Sequence, residues 1–348
     1  MGRGYVACCI GSAVGMLVLA GCADKPPADC NLSILEEFPI TVTKDNGFLI
    51  PATMDGHETK LLIDTGAEVS WLFDNSLDRL GIKYSSFSVL NDVRGLGGTS
   101  RTGAVALSDL KLGDVSYGPV DMPVIVPDKS VQDARKKDKS KHAPPYAGML
   151  GNNFLSNFDV EFDVPEHKIY ILSQDHCKGV VQHWNGPLIA APFRMSVPET
   201  DPTTGGIRPR MADDYKIRVP ITVNGRPVLA ILDSGAQNSY MTWEFASQLG
   251  ISKDTPGVTK TEDVDGIDGH SVPGYHYRFS TFTIGDETLI GVPVEIGDVS
   301  QGRHAEFADI FILGADFFAK NRVYIAYKER MIYFTPYNFK YSDGTAGK

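Results

Sequence analysis

The chain has 348 residues, enough for two ordinary domains with real cores, and its 42% hydrophobic and 22% charged residues are those of a soluble globular protein. A formal net charge of −10 with no compensating basic stripe argues against nucleic acid as a partner. The one basic run, residues 134–142 (ARKKDKSKH), is broken by Asp138 and reads as a solvated loop.

At the N-terminus, Arg3 precedes an apolar run over 6–20 that is too short for a spanning helix, and LAGC (19–22) then sets small residues before a cysteine. This pattern reads as a secretory signal. Its ending resembles the lipobox of bacterial lipoproteins, in which cleavage precedes the cysteine and the thiol carries lipid. The expectation is a signal peptide over 1–21, lipidation at Cys22 and a stiff polar tether over 22–30. That places the protein in a bacterial cell envelope, membrane-held through lipid and facing the periplasm or exterior, at the outer rather than the inner membrane. An ordinary signal peptide cut elsewhere is the plainer alternative. Cleavage before Cys22 removes Cys8 and Cys9. In an oxidising compartment Cys30 and Cys177 are then left either as a pair or as two separate thiols.

The next segment, LLIDTGAEVSWL (61–72), carries Asp64 straight out of an apolar run into Thr65, Gly66 and Ala67. The pattern returns 169 residues later in LAILDSGAQNSYM (229–241), as Asp233, Ser234, Gly235 and Ala236. The same offset joins Pro51 to Pro220, Gly56 to Gly225, Gly81 to Gly250 and Ile82 to Ile251, so the chain holds an internal duplication. Asp55-Gly56 and Asn224-Gly225 predict tight hairpins, followed by strands at 58–63 and 227–232 that deliver each Asp. Short helix signals closed by glycine follow in DNSLDRLG and TWEFASQLG. Further on, GMLGNNF (148–154) matches FILGADF (311–317), and KIYIL (168–172) matches MIYFT (331–335), at an offset of 163. Gly-rich hairpin candidates lie between, at 93–100 and 264–271. Frequent turn signals and the lack of long amphipathic helices predict a mainly β class. The repeats are placed at 31–175 and 212–340, with a connector over 176–211 that has room for a strand near 187–193.

One carboxylate from each half of a duplicated chain points to a dyad on a pseudo-two-fold axis. Two Asp side chains about 3 Å apart cannot both ionise and share a proton. One then activates a water while the other protonates the carbonyl of an amide. Gly66 and Gly235 permit close backbone approach at the axis. Thr65 and Ser234 offer hydroxyls that can reach the opposite loop and hold both turns rigid.

These residues resemble the aspartic proteases, and more narrowly the retroviral-type (retropepsin-like) family in a bacterial tandem-domain form. The shared elements are D-[ST]-G-A at 64–67 and 233–236, and the apolar-apolar-Gly elements Met149-Leu150-Gly151 and Ile312-Leu313-Gly314. The glycine-rich hairpins stand where the family has its flaps. The resemblance implies two acid-protease β-barrel lobes forming an intramolecular pseudo-dimer, active as a monomer. It implies peptide hydrolysis with Asp64 and Asp233 as the catalytic pair, and Thr65, Gly66, Ser234 and Gly235 as loop support. A polypeptide substrate would bind as an extended strand under flaps at Gly95, Leu96, Gly97 and Gly98, and at Gly266, Ile267, Asp268 and Gly269. It implies no cofactor and no metal. Because entering and leaving strands of such lobes meet at the base, it also implies a Cys30–Cys177 bridge. The sequence departs from the family at Asn153, where an acidic residue like Asp316 is usual. It also departs at Asp268, where the first flap has glycine, and in a longer connector.

Competing readings are weaker. A lone Asp-Thr-Gly also caps turns, but duplication and the shared apolar lead-in weigh against that here. GLGG at 95–98 does not complete a phosphate-binding G-x-G-x-x-G, because Ser100 stands in the last place. The His residues lack metal-ligand spacing, and no G-x-S-x-G elbow occurs. The rival of a different class is a non-catalytic envelope lipoprotein that uses the same two-lobed cleft to clamp a peptide without cutting it.

Overall fold

Each half is built around a hairpin whose turn is written in its sequence. Asp55 and Asn224 both sit at φ 47°, followed by Gly56 at 82° and Gly225 at 77°. This pair of left-handed residues makes the tight turn that matches strand twist. The computed structural model describes residues 30–44, 46–85, 93–95, 98–126, 132–133, 137, 146–195, 215–265, 271–298 and 310–336. Within it, strand Phe48–Met54 pairs with His57–Ile63, and Arg218–Val223 pairs with Arg226–Leu232. The second strand of each hairpin ends on buried residues, Leu61, Leu62 and Ile63 in one half and Ala230, Ile231 and Leu232 in the other. Each Asp therefore leaves the sheet from an anchored strand end.

After each Asp loop a three-residue strand leads into a short helix. Trp71–Phe73 leads into helix Asp74–Leu80, closed by left-handed Gly81. Tyr240–Thr242 leads into helix Trp243–Gln248, where the Thr242 Oγ1 accepts from the Phe245 N–H at 3.2 Å. That hydroxyl satisfies one of the backbone donors left free at a helix start.

The fold is mainly β, with two tandem lobes. In the second lobe the order is Arg218–Val223, Arg226–Leu232, Phe311–Leu313, Tyr240–Thr242, Glu287–Gly297 and Gly274–Ile284. The last strand pairs back on the first (Ile221 with Ile284), closing a barrel of six strands, and Thr259–Lys260 adds at its side. The first lobe repeats this order with Phe48–Met54, His57–Ile63, Gly148–Leu150, Trp71–Phe73, Val120–Val126 and Gly98–Leu107. There the last strand stops at Leu107 and a separate strand, Leu110–Leu112, returns to Phe48–Met54. At that break the Asp55 carboxylate takes the N–H groups of Ser108 and Asp109 at 2.7 and 3.0 Å. The first lobe is thus a curled half-barrel.

A third sheet joins the halves. Its order is Ile34–Pro39, Lys168–Leu172, Asp159–Asp163, Arg322–Ala326, Met331–Phe334 and Ile189–Pro192. The central pairing, Val160 with Ile325 and Phe162 with Val323, crosses from one repeat to the other. The connector supplies the edge strand Ile189–Pro192, paired to Met331–Phe334. Phe48, Phe162 and Phe318 stack beneath this junction at ring separations of 4.7 to 6.1 Å, all fully buried. Cys30 and Cys177 form a disulfide with Cα atoms 4.8 Å apart, just beyond the paired strands Ile34–Pro39 and Lys168–Leu172.

Candidate active site

Asp64 and Asp233 leave their strands at equivalent points. The Asp64 N–H donates to the Leu150 carbonyl at 3.0 Å, and the Asp233 N–H to that of Leu313 at 2.9 Å. The chain then turns over its own carboxylate. Asp64 Oδ1 accepts from the Gly66 and Ala67 N–H groups at 2.9 and 3.0 Å, and Asp233 Oδ1 from Gly235 and Ala236 at 2.9 Å each. These bonds fix each carboxyl against the opposite loop, where the two acids lie close enough to influence one another's ionisation.

Sterics explain the glycines. A Cβ on Gly66 would lie 2.1 Å from the Asp233 Cγ, and one on Gly235 would lie 2.4 Å from the Asp64 Cγ. Each glycine is the floor under the opposite carboxylate, so no side chain can stand there.

Thr65 and Ser234, both fully buried, lace the two loops together. The Thr65 hydroxyl donates to the Leu232 carbonyl at 2.9 Å and accepts from the Ser234 N–H at 3.0 Å. The Ser234 hydroxyl donates to the Ile63 carbonyl at 2.8 Å and accepts from the Thr65 N–H at 3.1 Å. Four reciprocal bonds cross the pseudo-axis, each worth about 1 kcal/mol net.

Burial pushes the Asp64 carboxyl well above the usual carboxylate range, and the Asp233 charge pushes it further against the pull of the Ala67 and Gly66 N–H groups. Burial also raises Asp233, opposed by the Ala236 and Gly235 N–H groups, by the Lys216 charge and by its bond with Asp64. Two adjacent carboxyls raised in this way resist ionising together.

Behind the loops, Asn153 stands where an acidic residue was expected. Its Oδ1 accepts from the Ser70 N–H and hydroxyl at 2.7 and 2.8 Å, while Ser70 Oγ accepts from the Gly151 N–H at 3.0 Å. In the other lobe Asp316 Oδ1 accepts from the Ser239 N–H and hydroxyl at 2.8 Å each, and Ser239 Oγ accepts from Gly314. The bonds need an acceptor oxygen and not a charge, so the departure at Asn153 leaves the brace intact.

Sequence reasoning missed two features. Asn152 donates from Nδ2 to the carbonyls of Thr65 and Tyr215 at 2.6 and 2.9 Å, and its Oδ1 accepts from the Tyr327 hydroxyl at 2.8 Å. Its counterpart in the repeat is Ala315, so the duplication gives no signal for it. Lys216 pairs with Glu68 across the lobes at 3.6 Å. The signal there was the mismatch of Lys216 with Gly47 in the repeat register.

Of the flap residues, Gly95 and Gly98 face each other across the pairing of Val93–Gly95 with Gly98–Leu107. Leu96 and Gly97 lie outside the described residues. So do Gly266, Ile267, Asp268 and Gly269, which fall between the paired strands Val264–Asp265 and Ser271–Val272. Cys22 also lies outside them. Among the described residues no group of three or more His, Cys, Asp or Glu side chains could hold a metal ion, and no helix is long and apolar enough to cross a membrane.

None of the curated proteins compared with the chain matches it. A family model described as aspartyl protease matches residues 50–154 and again 219–317, one stretch in each lobe and more than half of the chain together. Each stretch contains one carboxylate loop and the apolar-apolar-Gly element braced behind it, and the chain belongs to the aspartyl protease family as a tandem retropepsin-like member.

Proposed function

We propose that the chain is an aspartic endopeptidase in which Asp64 and Asp233 act as one unit on a peptide bound as an extended strand. The observation that carries this reading is the placement of the two buried carboxyls, each seated on the glycine of the opposite loop. A pure peptide clamp has no use for two carboxyls held at a cost in burial. In the reaction the ionised carboxylate takes a proton from water as its oxygen adds to the peptide carbonyl carbon. The protonated carboxyl gives its proton to the carbonyl oxygen, and a gem-diol results. Return of a proton to the amide nitrogen lets the C–N bond break, giving a carboxylic acid and an amine. The laced loops hold both carboxyls in place throughout, so little reorganisation is needed as charge develops. Both carboxyls come from one chain, so on this reading the protein works as a monomer. Lipid on Cys22 holds it at the cell envelope.

The test is hydrolysis of a denatured protein mixture. Asp64→Asn and Asp233→Asn should each abolish it, and the double variant should be little worse, because groups acting as a unit are not additive. Substantial turnover in either single variant overturns the dyad. A folded wild-type chain that binds peptide strands but never cuts them turns the reading into the clamp.

A further inference from the structure

The two Asp loops match bond for bond, yet a two-carboxyl site needs an acid and a base. Something outside the loops must distinguish them. The antiparallel register shows where to look. In the first lobe Leu49 faces Leu62, and the same register carried two positions outward sets Gly47 against Asp64. In the second, Arg218 faces Ile231, and the Leu232 N–H donates to the Ile217 carbonyl at 2.9 Å, so the next position outward sets Lys216 against Asp233. Directly opposed residues in an antiparallel pair point to the same side. The duplication therefore holds a glycine opposite one carboxyl and a lysine opposite the other.

The lysine is held in place. Its ammonium pairs with Glu68 of the first lobe at 3.6 Å, with the two side chains only 15% and 12% exposed. Its neighbour Tyr215 is bound through its carbonyl to Asn152, which also grips the Thr65 carbonyl. On the other side the counterpart of Glu68 is Gln237, which is neutral and accepts through its carbonyl from the Asn46 Nδ2 at 3.3 Å. Among the described residues the ion pair of Lys216 and Glu68 thus stands on one side of the pair, with backbone N–H donors beneath each carboxyl.

We propose that Lys216, braced by Glu68, is a positioning residue that breaks the symmetry of the pair, keeping the negative charge on Asp233 as base and the proton on Asp64 as acid. This assignment rests on the peptidase reading for its chemistry, but not for its electrostatics. The directions of titration agree, since the Lys216 charge pulls Asp233 down while the Asp233 charge pushes Asp64 up, and Asp64 stands further above its usual range.

The test follows the carboxyl carbons of isotope-labelled aspartate by NMR across pH in the full chain, beside the pH profile of kcat/KM. In Lys216→Met the lower of the pair's two apparent titrations should move upward, with the acid limb of the profile following it. Lys216→Arg should restore both. A purely structural role would lower stability without moving either curve. If Lys216→Met does not fold, Lys216→Gln carries the same expectation. A folded, charge-free variant with an unmoved titration overturns the inference. The carboxyl titration needs no turnover, so a chain that never hydrolyses peptide defeats the peptidase reading alone.

Discussion

At the scale of single residues, the two buried carboxyls cost stability as they ionise. Folded-state values raised by burial mean that the native pair binds a proton more tightly than the unfolded chain does. The sign follows: this contribution is present below pH 3.8, the ordinary Asp value, and is lost as pH rises through the raised values. Near neutrality the pair therefore costs stability. Asn at position 64 would keep the acceptor for the Gly66 and Ala67 N–H groups and donate permanently to Asp233. Asp64→Asn should raise Tm near pH 7 while abolishing hydrolysis, a trade of function for stability checked by paired calorimetry and turnover. Asn153 gives a prediction of the opposite kind. Asn153→Ala leaves the Ser70 N–H and hydroxyl without their acceptor and should cost about 1–3 kcal/mol in chemical denaturation. Asn153→Asp, which copies Asp316, should be tolerated much better. The sequence showed Asp64 and Asp233 because the repeat doubled them. It misled at Asn153, where reading a charge obscured the need for an acceptor. It was silent at Asn152, whose partners Tyr215 and Tyr327 are brought near only by folding.

At the scale of elements, the shared sheet sets buried acids against bases brought in by the connector. Asp159 Oδ2 accepts from the Tyr324 hydroxyl at 3.0 Å and contacts His176 Nε2 at 2.8 Å, while His176 Nδ1 lies 3.0 Å from the Cys177 carbonyl. Both ring nitrogens thus face oxygen acceptors, an arrangement that suits the doubly protonated ring. Glu161 is gripped by His183 at 2.7 Å and by Arg322, which also reaches Asp163 and lies over the Trp184 ring. Burial alone would lower the His176 pKa, but its bonds to Asp159 and the Cys177 carbonyl, with the charges of Asp159 and Glu329, raise it. The bond to Glu161 raises His183 against burial. A raised histidine contributes stability that is complete below 6.5 and disappears as pH rises through its folded value. Burial also raises Asp159, against its bonds to His176 and Tyr324, with the same sign from 3.8 upward. Tm should therefore fall as pH climbs above about 6.5, and His176→Gln should flatten part of that slope. An identical slope in the variant would remove His176 from the account. The hairpins were legible because Asp-Gly and Asn-Gly are local instructions. The pairing of Asp159–Asp163 with Arg322–Ala326 was not, because nothing local in either strand names a partner so distant in the chain.

At the scale of the whole molecule, the duplication made the two lobes legible, but not what keeps them in one alignment. That work falls to the shared sheet, the Phe48–Phe162–Phe318 cluster and the laced loops at the pseudo-axis. The disulfide stands apart from all three. It closes a span of 147 residues at the outer edge of the shared sheet, where Ile34–Pro39 enters and Lys168–Leu172 leaves. In the chain-entropy account such a closure removes freedom from the unfolded chain and stabilises by at most roughly 5 kcal/mol. The bridge makes no contact with the loops at Asp64 and Asp233, so its loss should act on the unfolded state and leave the site unchanged. Cys177→Ser is thus expected to lower the unfolding free energy by several kcal/mol in denaturant titrations run without reductant. At a temperature where the variant stays folded, its kcat/KM should be close to that of the wild type. The neighbouring His176 provides an internal check: its Nε2 meets Asp159 while its Nδ1 is held by the Cys177 carbonyl, which the substitution keeps. A variant that keeps its stability would show that the sheet edge alone fixes the entering strand. Loss of activity in a fully folded variant would show that the bridge reaches the site through the shared sheet.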